Sequence, residues 1–326
     1  MKDEIMGVVA DKTRLSPEQI VLNKCLALKK SESCLIVADQ NKISIAQKFF
    51  SVAGKITTKT TLLLTNANIY DGQEPNRYVS AEMKLYDVIL LVTTKSLTHT
   101  SARRNATKKG ARIASMPDIT DDMIKRCIDV DYSRMSQLGK KIAIKLSKTQ
   151  KIRLTSNNGT DLSFSISGVE IEVSDGIFSK KGRYGNLPDG EVCMMPVVGS
   201  ANGRLVIDGS ILNLLVDKPV IIDIRDGYAR NISGGKVASL LADVLLEHGK
   251  DAFNVAEFGI GINPKARITG NVLEDEKAVG TVHIAFGNNM SFGGSVDVPV
   301  HIDGIVKNPV AYADGSVFLE NRMFLL

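Results

Sequence analysis

The sequence predicts an α/β N-terminal domain with a doubly wound, mostly parallel sheet, followed by an α+β, strand-rich C-terminal domain. Two observations carry this prediction. In the first third, short apolar segments at 35–39, 61–65 and 86–92 alternate with helical segments, as in a parallel sheet covered on both faces. Further along, alternating apolar and polar residues meet at an Asn-Gly turn, which is typical of antiparallel hairpins.

The first domain is predicted at residues 1–131. A helix is expected at 42–53, after the first strand. A basic helix at 101–109 ends at Gly110, and a strand at 111–114 follows it. Glycine at that position is typical of a helix C-terminus.

The second domain is predicted at residues 132–326. Apolar residues recur at helical spacing over 132–148, which indicates a linking helix. A hairpin with strands at 152–155 and 162–166 comes next, joined by Asn157-Asn158-Gly159. Further strands (205–208, 220–223 and 282–285) and one helix (235–248) complete the pattern.

Composition excludes several classes of function. Apolar residues make up 44% and charged residues 24%, as in globular proteins. The net charge of +5 is spread along the chain and aromatic residues reach only 5%, so no nucleic-acid partner is expected. No apolar run approaches the ~20 residues that span a membrane. The chain opens with Met1-Lys2-Asp3-Glu4 rather than a signal peptide, and its four cysteines form no CxxC pair, so a reducing, cytoplasmic setting is expected.

Histidines in strand-like segments are the first candidates for chemistry. His301 and Asp303 are two residues apart, so both project from one face of a strand and can hold one metal ion. His283 lies in another strand-like segment. The alternative for either histidine is a hydrogen-bonded core residue. His248, at a predicted helix end, is interpreted as a capping residue.

Two carboxylates join this set. Glu191 follows the turn-prone segment Asn186-Leu187-Pro188-Asp189-Gly190, and Glu257 lies among apolar residues and glycines. A carboxylate in such surroundings is costly to bury unless a cation or hydrogen-bond donors stabilise it. Taken singly, each glutamate also fits an ordinary surface position, and the glycines around Glu257 also fit a simple bend.

Read in order, several segments resemble the thermophilic metalloaminopeptidase family of aminopeptidases T and S. The matching segments are Gly159-Thr160-Asp161-Leu162, 186–192, 256–264, 276–287 and His301-Ile302-Asp303-Gly304. The resemblance implies two divalent ions (zinc, cobalt or manganese) held by Glu191, Glu257, His283, His301 and Asp303. It also implies a peptide substrate, release of N-terminal amino acids and a homodimer. The hypothesis for catalysis in such a hydrolase is that Glu191 acts as base or ligand and Glu257 as bridging ligand.

One position departs from that family. Its peptidases carry a tyrosine seven residues after the first histidine, where this chain has Met290. A tyrosine can donate a hydrogen bond to an oxyanion or assist proton transfer, and methionine can do neither. Peptidase activity is therefore expected to be weak, altered or absent.

Because Met290 replaces the expected tyrosine, two functions other than a peptidase stay open. The first is a ring-cleaving dioxygenase similar to the dihydroxypyridine dioxygenases, with one iron held by His283, His301 and Asp303 and with His99 as a substrate contact or a mere helix-start residue. Retention of Glu191 and Glu257 counts against it, since a mononuclear triad needs neither. The second is a non-catalytic metal-containing binding protein. No dinucleotide fingerprint is present, so no nucleotide cofactor is expected.

Overall fold

The computed structural model describes residues 15–326, and in that range the strands form three sheets of five, eight and seven strands. The segment Met1–Glu4, on which the signal-peptide prediction rests, lies outside the described residues. Within them, no helix is long and apolar enough to cross a membrane.

The secondary-structure elements have the following bounds. The helices are α1 (Pro17–Ile20, continued by a π-helical turn, Val21–Cys25), α2 (Ile43–Ile56), α3 (Arg77–Glu82), α4 (Ser101–Lys108), α5 (Asp121–Cys127), α6 (Tyr132–Leu146), α7 (Lys236–Glu247) and α8 (Val272–Asp275). The strands are β1 (Cys34–Asp39), β2 (Thr60–Thr65), β3 (Val88–Val92), β4 (Arg112–Ser115), β5 (Lys151–Thr155), β6 (Asp161–Ser165), β7 (Glu172–Ser174), β8 (Tyr184–Asn186), β9 (Glu191–Met194), β10 (Asn202–Ile207), β11 (Ser210–Ile211), β12 (Leu214–Leu215), β13 (Val220–Arg225), β14 (Tyr228–Ser233), β15 (Val255–Gly261), β16 (Val282–Gly287), β17 (His301–Val306), β18 (Val310–Ala313), β19 (Ser316–Glu320) and β20 (Met323–Phe324).

The first sheet is parallel, in the order β2-β1-β3-β4-β8. Strands β1, β3 and β4 are buried along their whole length, because helices cover both faces of such a sheet. The predicted α/β class of this part is confirmed. Its last strand, β8, comes from beyond residue 131, so this sheet includes a piece of the chain that the sequence assigned to the second domain.

The second and third sheets are antiparallel, which confirms the predicted strand-rich character of the C-terminal part. Strands β5 and β6 form the predicted hairpin, and Gly159 in its turn has φ +99°, in the left-handed region that favours glycine. The second sheet runs β14-β13-β10-β6-β5-β18-β19-β20, and the third runs β12-β11-β17-β16-β15-β9-β7.

These two sheets pack face to face around an apolar core. Burial alternates along β5 and β6, so that Ile152, Leu154, Leu162 and Phe164 point inward. The Phe164 ring meets the Phe258 ring of β15 edge to face, with centroids 5.1 Å apart. Strand β15 is buried on both faces, so its second face lies inside the molecule as well.

The linking helix α6 packs against the third sheet at β7 and β9. A Cβ atom at Gly139 would lie 2.6 Å from Val173 Cγ1, so the helix needs a residue without a side chain there. The first part of the chain also contacts β8 through a side chain, since the Thr98 hydroxyl donates to Asn186 Oδ1 at 2.9 Å. The domain boundary at residue 131 stays a prediction.

The contact between the two antiparallel sheets predicts the effect of truncating Phe164. Phe164→Ala should lower the free energy of unfolding by roughly 3–5 kcal/mol, because it leaves a cavity and removes an aromatic pair. The measurement is chemical denaturation followed by circular dichroism. Ile144→Ala, at a side chain 60% exposed on α6, is the control and should change stability by no more than about 0.5 kcal/mol. Equal effects of the two substitutions would contradict the packing described above.

Candidate metal centre

One face of the third sheet carries all five residues that the sequence singled out. In the antiparallel register, Glu257 is opposite Ala285, which is opposite Asp303, while His301 is opposite Gly287. His283 is opposite Gly259, and Glu191 is opposite Gly261. Residues opposite one another share a face, and residues two apart along a strand do too. The register of β9, β15, β16 and β17 therefore brings these five side chains together.

Gly259 makes room for the ring of His283. A Cβ atom at residue 259 would lie 1.9 Å from His283 Nε2 and 2.2 Å from its Cε1. The imidazole thus lies directly against the backbone of β15. The sequence interpreted the glycines around Glu257 as a possible bend, whereas at Gly259 the glycine is required by a neighbouring ring.

Glu257, His301 and Asp303 form what we call the first cluster. One potential ligand atom from each lies within 4.8 Å of the others. His301 Nε2 is 2.9 Å from Glu257 Oε2 and 3.6 Å from Asp303 Oδ1. The side chain of Glu257 is 6% exposed, that of Asp303 12% and that of His301 29%. The cluster is consequently closed on the side of the sheet and accessible on the side of His301.

The ring of His301 is oriented by the backbone. Its Nδ1–H donates to the carbonyl of Asn288 at 2.8 Å, which leaves Nε2 facing the carboxylates. Histidines that bind metals are commonly held in this way by a carbonyl acceptor. The loop between β16 and β17 also places the Phe292 ring near His301, with centroids 6.1 Å apart.

Glu191, Glu276 and His283 form the second cluster, again with ligand atoms within 4.8 Å of one another. His283 Nε2 lies 3.5 Å from Glu191 Oε2 and 3.3 Å from Glu257 Oε1, so it stands between the two clusters. Lys277 Nζ is 2.6 Å from one oxygen of Glu191 and 2.6 Å from one oxygen of Glu276. A buried ammonium group thus accompanies the second cluster.

Burial and charge act in opposite directions on these groups. Burial would raise the pKa of Glu257, but hydrogen bonds from His283 and His301 outweigh it and hold that pKa well below its usual range. Burial would lower the pKa of His283, but Glu257, Glu191 and Asp303 raise it to about 9. For Glu276, burial dominates and raises the pKa to about 8, against the lowering effect of Lys277. The pKa of Lys277 is raised by Glu191 and Glu276 in spite of its burial.

The donor atoms fit a divalent cation. Glu191 Oε2, Asp303 Oδ1 and His283 Nδ1 are buried atoms without a hydrogen-bond partner, and such atoms are rare unless an ion or water binds them. Carboxylate and imidazole groups together suit iron, manganese and zinc. A cation that binds an imidazole nitrogen displaces any proton on that nitrogen, so binding at such a centre is favoured by higher pH.

Two further residues named from the sequence lie near this centre. His99 is an exposed residue, but the protein groups packed around its imidazole, the charge of His301 and Arg103 lower its pKa to about 4. Met290 lies on the loop before β17, and its side chain is 50% exposed. His248 is the C-cap of α7, as the sequence predicted.

Sequence reasoning assigned no role to Glu276 and Lys277. Both belong to the segment that carries the family resemblance, and an acid next to a base is common on protein surfaces. The only available signal was their position at the end of the charged run Glu274-Asp275-Glu276-Lys277, shortly before His283. Their burial follows from the turn after α8 and could not be deduced from spacing.

Known proteins resemble this chain in sequence and in fold. The 2,5-dihydroxypyridine 5,6-dioxygenase of Pseudomonas putida KT2440 is 24% identical over 251 residues, which cover 72% of this chain and 71% of that protein. The solved structure of 2,5-dihydroxypyridine dioxygenase from Pseudomonas putida KT2440 superimposes with a TM-score of 0.80 at 17% identity, covering 96% and 98% of the two chains. Wild-type AmpT from Thermus thermophilus superimposes with a TM-score of 0.71 at 13% identity, covering 95% and 99%.

These findings correct the main functional expectation. The resemblance to aminopeptidase T holds for the fold, but a metalloaminopeptidase, and with it the hydrolase and protease class, is wrong. Met290 agrees with this correction because it cannot supply the hydrogen bond of the expected tyrosine. A metal cofactor and a substrate are compatible with a dioxygenase family. The zinc, cobalt or manganese pair and the homodimer have no support from these findings.

The family of this chain follows from a family model that matches almost its whole length. The model of the NicX family, described as 2,5-dihydroxypyridine 5,6-dioxygenase, matches residues 21–324, and so includes both clusters and His99. The chain belongs to the NicX family of 2,5-dihydroxypyridine 5,6-dioxygenases.

Proposed function

We propose that this protein is a ring-cleaving dioxygenase that acts on a dihydroxylated pyridine or a closely similar ring, with one iron held by the first cluster. The main support is the arrangement of Glu257, His301 and Asp303, whose ligand atoms lie within 4.8 Å of one another. Non-haem iron oxygenases hold the metal on one side with imidazole and carboxylate groups, and leave the other side for substrate and dioxygen. The exposed edge at His301 supports such an opening.

The proposed ligand set differs from the triad expected from the sequence. Glu257, rather than His283, lies with His301 and Asp303, and His283 stands behind Glu257 at 3.3 Å. We assign to His283 the role of a neighbouring donor that fixes Glu257. Glu191, expected as a base or a metal ligand, is paired with Lys277.

The chain's own residues have separate tasks in this proposal. Iron, when bound, supplies the redox chemistry that insertion of dioxygen into an aromatic ring requires. Asn288 keeps the His301 ring oriented through its carbonyl. Phe292, on the adjacent loop, presents an aromatic surface against which a planar ring can stack. His99 is neutral near pH 7, because its pKa is about 4, and can therefore accept or donate one hydrogen bond with a ring substituent.

The proposed function predicts activity on the ring substrate. Protein loaded anaerobically with ferrous iron should consume 2,5-dihydroxypyridine and dioxygen in equal amounts, as measured by substrate absorbance and an oxygen electrode. Asp303→Asn should lower bound iron and reduce turnover by roughly 100-fold or more, because it removes a charged ligand. His248→Ala is the control, since His248 caps α7 outside both clusters.

An iron-loaded, folded protein that neither consumes oxygen nor alters the ring would overturn the proposed substrate class. Release of amino acids from aminoacyl substrates is expected from none of these proteins. Retention of full turnover by Asp303→Asn would overturn the assignment of the first cluster as the iron site.

The close approach of Gly259 to His283 gives another prediction. Gly259→Ala should weaken iron binding about 10- to 100-fold, because the new methyl group displaces the His283 ring that fixes Glu257. The measurement is competition for iron with a chromogenic chelator. Gly54→Ala is a matched control, because a Cβ atom at Gly54 on α2 would have no neighbour within 4 Å. Unchanged iron affinity in Gly259→Ala would contradict the positioning role of His283.

His99 gives a further prediction. His99→Phe should leave the iron content unchanged and lower kcat/KM by roughly 10-fold, the value of one lost hydrogen bond. The pH profile of kcat/KM between pH 5.5 and 9 should show no ionisation of His99, because that group is already neutral above a pKa of about 4. An unchanged kcat/KM in His99→Phe would remove His99 from the substrate site.

A further inference from the structure

The second cluster resembles a cation site in every respect but one. Its three potential ligands, Glu191, Glu276 and His283, lie within 4.8 Å of one another, and Glu191 is 9% exposed while His283 is fully buried. His283 links it to Glu257 of the first cluster. Two adjacent groups of carboxylate and imidazole ligands are the arrangement in which paired divalent ions occur.

The difference is Lys277. Its ammonium group is 2.6 Å from Glu191 Oε1 and 2.6 Å from Glu276 Oε1, and the residue is 1% exposed. Two of the three ligands therefore already direct one oxygen at a positive charge. A divalent ion among the same oxygens would be close to that ammonium group, and like charges at such distances in a buried site repel strongly.

The main chain of Lys277 is held in place by hydrogen bonds. The Lys277 N–H donates to Glu274 O at 3.0 Å, and the Lys277 carbonyl accepts from Asn263 N at 2.8 Å. The Asn263 side chain is in turn buried and donates to the carbonyls of Cys127 and Asp189. An ammonium group that left Glu191 would have to remain inside the protein without a counterion, which is energetically costly.

We propose that Lys277 occupies the position of a second cation, so that the centre binds one divalent metal and the two-metal chemistry of a hydrolase is excluded by the chain itself. The inference rests on the proposed function for the location of the first metal. It makes Lys277 a specificity-determining residue for metal number. When the charge of Lys277 is removed, Glu191, Glu276 and His283 should be free to bind a second metal ion.

The test compares the wild-type protein with Lys277→Met, which keeps the length of the side chain and removes its charge. Each protein is loaded anaerobically with ferrous iron, or with manganese in a parallel sample, dialysed and analysed for metal by mass spectrometry. Wild type should hold about one equivalent and Lys277→Met about two. Lys265→Met is the matched control, because Lys265 is an ion-paired lysine on Asp129 that lies in neither cluster, and it should hold about one equivalent.

Two results would overturn the inference. The first is a folded Lys277→Met protein that gains no metal. The second is a wild-type protein that binds two equivalents with Lys277 in place, a measurement that stands even if the variant does not fold. Failure of the proposed function gives a different result: the wild-type protein would bind no metal or would not cleave the ring. The role of Lys277 is instead judged by the number of metal ions gained when Lys277 is replaced.

Discussion

The pairing of buried charges on one face of the third sheet is the constraint on which the rest of the structure depends. Glu257 lies between the rings of His283 and His301, and Lys277 lies between Glu191 and Glu276. An unpaired charge at these depths would cost several kcal/mol. Strands β9, β15, β16 and β17 must therefore keep their register, since a shift of one strand by one residue would turn its charged side chains toward the apolar core at Phe258.

Much of this centre could be predicted from the sequence. The spacing of His301 and Asp303 predicts a shared strand face, and their ligand atoms are 3.6 Å apart. For Glu257, an acid among apolar residues and glycines, the sequence left open a stabilised buried position or an ordinary surface one, and this side chain is 6% exposed between two imidazoles. The alternation of strands and helices in the first third likewise predicted the parallel sheet, because periodicity is a local property of the chain.

Other features depend on tertiary contacts that spacing does not encode. Lys277 and Glu276 become part of the centre only through the turn after α8. Strand β8 is three residues long, and its sequence carries no signal that it would join a sheet formed by the first part of the chain. The class of reaction could not be predicted either, because one fold and similar ligands support both hydrolysis and oxygen chemistry. Met290 was the one residue that favoured an alternative to the peptidase.

The position of β8 has a consequence for how the two parts of the molecule relate. Because β8 pairs with β4 through residues 113–115, the chain crosses from the second part back into the first and then returns to β9 and the metal centre. Strand β4 would otherwise expose an unpaired edge, which favours aggregation. The N-terminal part is thus completed by a strand from the C-terminal part, so the N-terminal part taken alone would have an open sheet edge at β4.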